Sequence, residues 1–242
     1  MSDPNRRAEG DRLAKRVAAL HGCSRGDAER LIEGGWVTVN GTVADDPAQR
    51  VTDEAVAVAP GATAAPLQAV TLVWHKPAGV ALAPDQPLTG LLAPNDTLRP
   101  WHLKHLRCVS PMPAASTGLA VFAQSPGVLR VLREDGPLLE HEWMLDLPGA
   151  VGPDVLARLD QRKAEMAWGP RTPSLKLSVG SQSPERTRLR LAVKTYTPQR
   201  LPNWLRSAGL QATLLHRLRL GRVALGALPV GGWRVLGVHE RF

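Results

Sequence analysis

Between Leu98 and Leu132 the chain carries no aspartate or glutamate. That stretch holds instead His102 and His105 in the run W-H-L-K-H, the thiol of Cys108, and two prolines, Pro111 and Pro113. A His-x-x-His pair can begin a metal site, but without a carboxylate alongside it reads as polar residues on a strand or loop. No metal and no cofactor are expected. Cys23 and Cys108 are the only cysteines, too few for a disulfide framework or a cysteine-based zinc site. What the chain offers in quantity is cation: 30 Lys and Arg against 22 Asp and Glu, a net charge of +8. Seven Trp against two Phe and one Tyr add flat aromatic surface. Cations interleaved with Trp can hold phosphates and stack on bases.

The charge is unevenly placed. Residues 1–60 are net −2, while 186–242 hold 11 basic residues and one acid, Glu240. So lopsided a region points to a polyanion partner. The basic residues fall among strand-like segments rather than on one amphipathic helix, which favours nucleic acid over a membrane surface. No apolar run approaches the ~18 residues of a membrane span, and MSDPNRRAEGDR lacks the apolar stretch of a secretory signal. The cytoplasm is the expected compartment. At 43% hydrophobic residues the chain can bury a core, and 242 residues suit one domain, or one mid-sized domain carrying a small one.

The elements that must position these groups follow from spacing. A helix is expected over 9–21, with Leu13, Val17 and Leu20 on its buried stripe and Gly22 ending it. Ser24 N-caps a second helix with Asp27 three residues on, Ala28, Leu31 and Ile32 face inward, and Gly34-Gly35 stops it. Asn40-Gly41 turns a hairpin, since both residues tolerate positive φ. GATAAPLQA, 61–69, reads as a linker. Beyond it strands are expected at 70–75, 119–123, 142–147, 187–194, 211–220 and 233–238, with helices opened by Pro126, Pro153 and Pro198. Alternating strands and separated helices give an α+β class with a largely antiparallel sheet.

The run SRGDAERLIEGGWVTVNG, inside a helix–helix–hairpin unit reaching Val58, resembles the S4-like RNA-binding domain. Further on, His75-Lys76-Pro77-Ala78-Gly79, STGLAVFAQS at 116–125 and LLHRLRLGRVALGALPVGGWRVL at 214–236 resemble the bacterial rRNA pseudouridine synthases that carry an N-terminal S4-like domain. The resemblance implies an S4-like domain over 1–60, the linker at 61–69, and over 70–242 a pseudouridine-synthase-like domain with a largely antiparallel central sheet flanked by helices.

The resemblance also implies an isomerase, in which one Asp in a G-R-L-D-x-x-T-x-G-L loop acts on a flipped-out uridine. Counting back from Gly118-Leu119, that Asp position is Pro113 here, and the Arg that holds it is Pro111. The family Tyr of K-E-Y is Trp143, and the later R-Q-[IV]-R-R-M segment reads Gln199-Arg200-Leu201-Pro202-Asn203-Trp204. Pro202 falls where a helix is expected and costs about 3 kcal/mol unless it sits in the first turn. Three readings stay open. One is an RNA-binding family member, on rRNA or ribosomal particles, that does not isomerise uridine. Another is an active synthase using Asp85, Asp96 or Asp146. The third is a ribosome-associated interaction or assembly protein. RNA contacts are expected at Arg12, Lys15, Arg16, Arg25, Arg30 and Asn40, and in the second domain at Lys76, Trp143, Arg200, Arg217 and Arg219. For the helix arginines the plain alternative is a solvated surface. A monomer is expected.

Overall fold

A computed structural model describes residues 10–88, 90–92 and 97–242. Two compact units emerge: one takes in the described residues of Met1–Ala69 and Pro87–His105, the other Val70–Gln86 and Leu106–Phe242.

The first unit is built by β1 (Asp11–Arg12), α1 (Leu13–His21), α2 (Arg25–Glu33), β2 (Val37–Val39), β3 (Thr42–Ala44), β4 (Arg50–Val51) and β5 (Val56–Val58). Leu13, Ala14 and Val17 of α1 meet Ala28, Leu31 and Ile32 of α2 over Val37, Val39 and Ala44. Apolar residues three and four apart put one stripe of each helix into this core. Gly22 ends α1 in the left-handed region, and the Ser24 hydroxyl accepts from the Asp27 amide to cap α2. Two expectations change. α1 begins at Leu13, because Asp11 and Arg12 pair with Val51 and Arg50; Glu9 lies outside the described residues. Leu20 is exposed rather than on the stripe.

Asn40 sits at φ 50°, its Oδ1 accepting from the Ala55 amide at 2.9 Å. This fixes the β2–β3 turn and ties it to the approach of β5. Asn40→Ala should therefore cost about 1–2 kcal/mol, from the lost hydrogen bond and the penalty of an ordinary residue in the left-handed region. A thermal midpoint equal to wild type would contradict this role.

Residues 61–69 are not a free tether. Ala62 and Ala64 pack on the first unit's core, and Arg30 Nε donates to the Ala64 carbonyl at 2.8 Å. The described residues of 87–105, expected in the second domain, belong with the first unit. They include α3 (Pro100–His105), where a strand or loop was expected, with Arg99 stacked 4.1 Å over the Trp36 ring.

The second unit contains β6 (Thr71–Lys76), β7 (Arg107–Cys108), β8 (Thr117–Ala123), α4 (Pro126–Glu134), β9 (His141–Pro148), α5 (Pro153–Gln161), β10 (Ser174–Gln182), β11 (Arg186–Lys194), α6 (Leu201–Ser207), β12 (Leu214–Leu220), β13 (Val223–Ala224) and β14 (Trp233–Val235). They form a sheet in the order β10-β11-β9-β12-β8-β6-β14, with β13 on β12 and β7 on β8. All its pairs are antiparallel except β12–β8. At that parallel step Gly118 has φ +103°, and a Cβ there would lie 2.3 Å from the Arg217 carbonyl oxygen, so only glycine fits. β10 is an addition to the expected strands. Pro202 stands in the first turn of α6, where its missing N–H costs no helical hydrogen bond. Among the described residues no helix is long and apolar enough to cross a membrane.

Candidate functional site

The loop between β7 and β8 is held by two buried cations. Arg217, on β12, is fully buried; its Nε donates to the Leu119 carbonyl at 2.7 Å and its Nη2 to the Ser110 carbonyl at 2.8 Å. Lys76, at the end of β6, is equally buried, and its Nζ donates to the Pro77 and Ser116 carbonyls at 2.8 and 2.5 Å. Ser116 closes the turn, its amide and hydroxyl both donating to the Pro113 carbonyl. The loop is thus fixed through main-chain oxygens, and among the described residues no carboxylate takes part. Burial, and then repulsion from Arg217, pulls the Lys76 pKa down to about 8; burial lowers that of Arg217 to about 10.

Beside this loop opens a cleft of about 250 Å³, walled by Ser110, Pro111, His141, Trp168, Tyr196 and Arg217. Tyr196 accepts from Trp143 Nε1 at 2.7 Å, and the Arg217 guanidinium lies 5.4 Å over the Trp143 ring. Arg217 Nη1 is buried without a hydrogen-bond partner. A buried guanidinium that pairs with no acid among the described residues is an uncompensated charge, so this wall favours an acceptor or anion. Burial raises the Tyr196 pKa, keeping the phenol neutral.

His141 is also fully buried; its Nε2 lies 3.0 Å from the Gly136 carbonyl and its Nδ1 has no partner. Burial, then the Arg217 charge, pulls its pKa down to about 3. The unfolded chain protonates this residue near 6.5. The folded state therefore binds fewer protons below that pH, and stability falls as the pH drops from about 6.5 toward 3, by up to about 1.4 kcal/mol per unit. Urea midpoints at about pH 7 and pH 5 should differ in wild type and differ less in His141→Gln. Equal pH slopes in the two proteins would contradict the neutral, buried imidazole.

Of the three carboxylates considered as displaced catalysts, Asp85 lines the cleft. It is exposed, has φ 59°, and its Oδ1 accepts from Arg133 Nε at 2.9 Å and Nη2 at 2.5 Å. Asp146 instead faces Arg188, which donates to both its oxygens. Asp96 lies outside the described residues.

The expected RNA contacts separate into accessible and buried sets. Arg12, Lys15, Arg16 and Arg25 are exposed on the first unit, with Lys15 paired to Asp11 and Arg25 to Glu29. Arg30 is half-buried between Asp27 and the Ala64 carbonyl, so its removal would also loosen 61–69. Arg200 is exposed and donates to the Ala167 carbonyl. Lys76, Trp143 and Arg217 are corrections: each is 0% exposed, because main-chain carbonyls take Lys76 Nζ and two of the Arg217 nitrogens and the Tyr196 hydroxyl takes the indole, leaving Arg217 Nη1 to the cleft wall alone. Trp143 cannot be a stacking platform in this conformation. Arg219 bonds to Glu140 and Glu142. The basic tail is likewise partly neutralised by acids of β9, far off in sequence and adjacent in the sheet. Tyr196 escaped the sequence reading altogether; its only signal was its place just before the Thr197-Pro198 helix opening.

Residues 11–56 match the model of the S4 domain family. No curated protein matches the chain. Among solved structures, a crystal structure of a pseudouridylate synthase superposes with a TM-score of 0.55 at 16% identity, over 93% of this chain and 96% of that one. Looser matches are an archaeal box H/ACA sRNP Nop10-Cbf5 complex (TM-score 0.43, 15% identity, 64% of this chain and 48% of that one) and human RNA pseudouridylate synthase domain containing 4 (0.38, 14%, 60% and 65%). The fold is an S4 domain with a pseudouridine-synthase-like α+β domain whose sheet is mostly antiparallel.

Proposed function

We propose that this protein binds structured RNA, rRNA foremost, and leaves its uridines unisomerised. The observation that carries the reading is the β7–β8 loop. Where isomerisation needs a carboxylate, Pro113 stands, and Arg217 beneath the loop spends its donors on carbonyl oxygens and the cleft. An S4 domain in the same chain as such a cleft supports binding, with exposed Arg12, Lys15, Arg16, Arg25 and Arg200 as phosphate contacts. The same reading puts the protein in the cytoplasm, as a monomer on ribosomal particles.

These five phosphate contacts by themselves should make the affinity for an rRNA-derived hairpin fall with salt at a log–log slope at least as steep as roughly −3 to −4. Arg25→Ala should weaken binding and leave the melting point unchanged, its only bond being the exposed pair with Glu29. A flat salt dependence removes the electrostatic argument. Deleting 1–60 would be a poor substitute for the point variant, because the described residues of 87–105 belong to the same unit.

One observation favours a second reading, an active synthase. Asp85 lines the cleft, held by Arg133. That reading requires uridine isomerisation that Asp85→Asn abolishes.

A further inference from the structure

The sheet of the second unit has two unlike faces. Along β11, Thr187, Leu189, Leu191 and Val193 are fully buried, whereas Arg186, Arg190 and Lys194 are exposed and Arg188 is half-exposed. The register puts Asp146 opposite Arg188, Met144 opposite Arg190 and Glu142 opposite Ala192 on β9, all on the arginine face. On the other side of β11, Ser178 faces Arg190 and Lys176 faces Ala192 on β10. A bulge between Arg217 and Arg219 turns Arg217 inward and brings Arg219 opposite Glu142.

The charges on this face are layered. The side chains of Asp146 and Glu142 are 9% and 12% exposed, those of Arg186, Arg190 and Lys194 55%, 65% and 49%. Arg188 and Arg186 meet Asp146, Arg190 and Arg219 meet Glu142, and Arg219 and Lys194 meet Glu140. Asp146 and Glu142 lie beneath their cations, while Glu140, 32% exposed, is level with Arg219 at 29%. Six cations, Lys176 included, thus accompany three carboxylates of which two are buried, so the layer meeting solvent is positive. A guanidinium has five N–H donors; Asp146 takes two from Arg188, and Glu142 takes one from Arg190. Residues two apart on a strand are about 6.8 Å apart, a step of the order of that between successive phosphates, and Arg186, Arg188 and Arg190 follow it.

The geometry points to this arginine ladder as a second RNA contact surface, which grips the phosphodiester backbone on the sheet face opposite Trp143 and Arg217. It rests on the RNA-binding reading above and adds a place to it. The buried acids pre-orient the guanidiniums, so little side-chain freedom remains to be lost on binding. Contacts of this kind position a backbone and carry no base preference.

The test is a Lys176→Gln/Arg186→Gln/Lys194→Gln protein. It leaves Arg188, Arg190 and Arg219 over their buried acids and so keeps the fold. Binding of a fluorescent rRNA hairpin is titrated across salt concentrations for both proteins, with melting points alongside. The ladder predicts an unchanged melting point, at least a tenfold loss of affinity at low salt, and a slope shallower by about two to three units. Wild-type binding matched by the variant in affinity and slope overturns the ladder and leaves the RNA reading standing. Absence of wild-type binding overturns the reading itself. Competition by polyglutamate as effective as by unlabelled hairpin also overturns the ladder, and would assign the face to an acidic protein segment.

Discussion

Trp143→Ala should destabilise the protein by about 3–5 kcal/mol, the range for removing a large aromatic side chain from a packed core. The indole is fully buried on β9, faces Leu191 of β11, and lies under the Arg217 guanidinium. Alanine would open a cavity and strip the Tyr196 hydroxyl of its donor. Were Trp143 a platform for bases, the variant would keep its stability and lose about 1–3 kcal/mol of RNA affinity instead. Urea unfolding and hairpin titration on the same variant separate these outcomes.

Purified protein should form no detectable pseudouridine on rRNA or tRNA transcripts, and Pro113→Asp should not change that. Losing a nucleophile costs on the order of 10⁶-fold in a well-studied hydrolase. The new carboxylate would lack an arginine at position 111, and Lys76 Nζ together with Nε and Nη2 of Arg217 already hold main-chain carbonyls, which leaves Arg217 Nη1. Positioning of a reacting group is worth several kcal/mol, and one buried donor does not replace the paired arginine. Pseudouridine produced by Pro113→Asp would show that the loop lacks only its carboxylate.

Much of this was legible in the sequence. The two helices and hairpin of the first unit follow from apolar spacing, the Ser24 cap and Asn40-Gly41. β6, β8, β9, β11 and β12 stand where alternation puts strands. β10 was missed although Leu175, Leu177 and Val179 alternate with polar residues; its serines and Gly180 dilute the pattern at an edge strand where little is buried. α3 is too short for a period to show. Trp143 shares parity with the buried Leu145 and Leu147, so its burial could have been read from β9 itself rather than from a resemblance. The charge layering could not be read, because Arg188 and Asp146, or Arg219 and Glu140, meet only through strand order. The return of the described residues of 87–105 to the first unit is likewise a tertiary fact with no local signal.

The central claim is that the fold binds RNA without isomerising uridine, and chemical mapping of pseudouridine across cellular RNA tests it most directly. Strains with the gene, without it, and with a restored copy should give identical pseudouridine maps. One site that vanishes with the gene and returns with the wild-type copy would contradict the account. Its dependence on Asp85 would then be the next thing to establish.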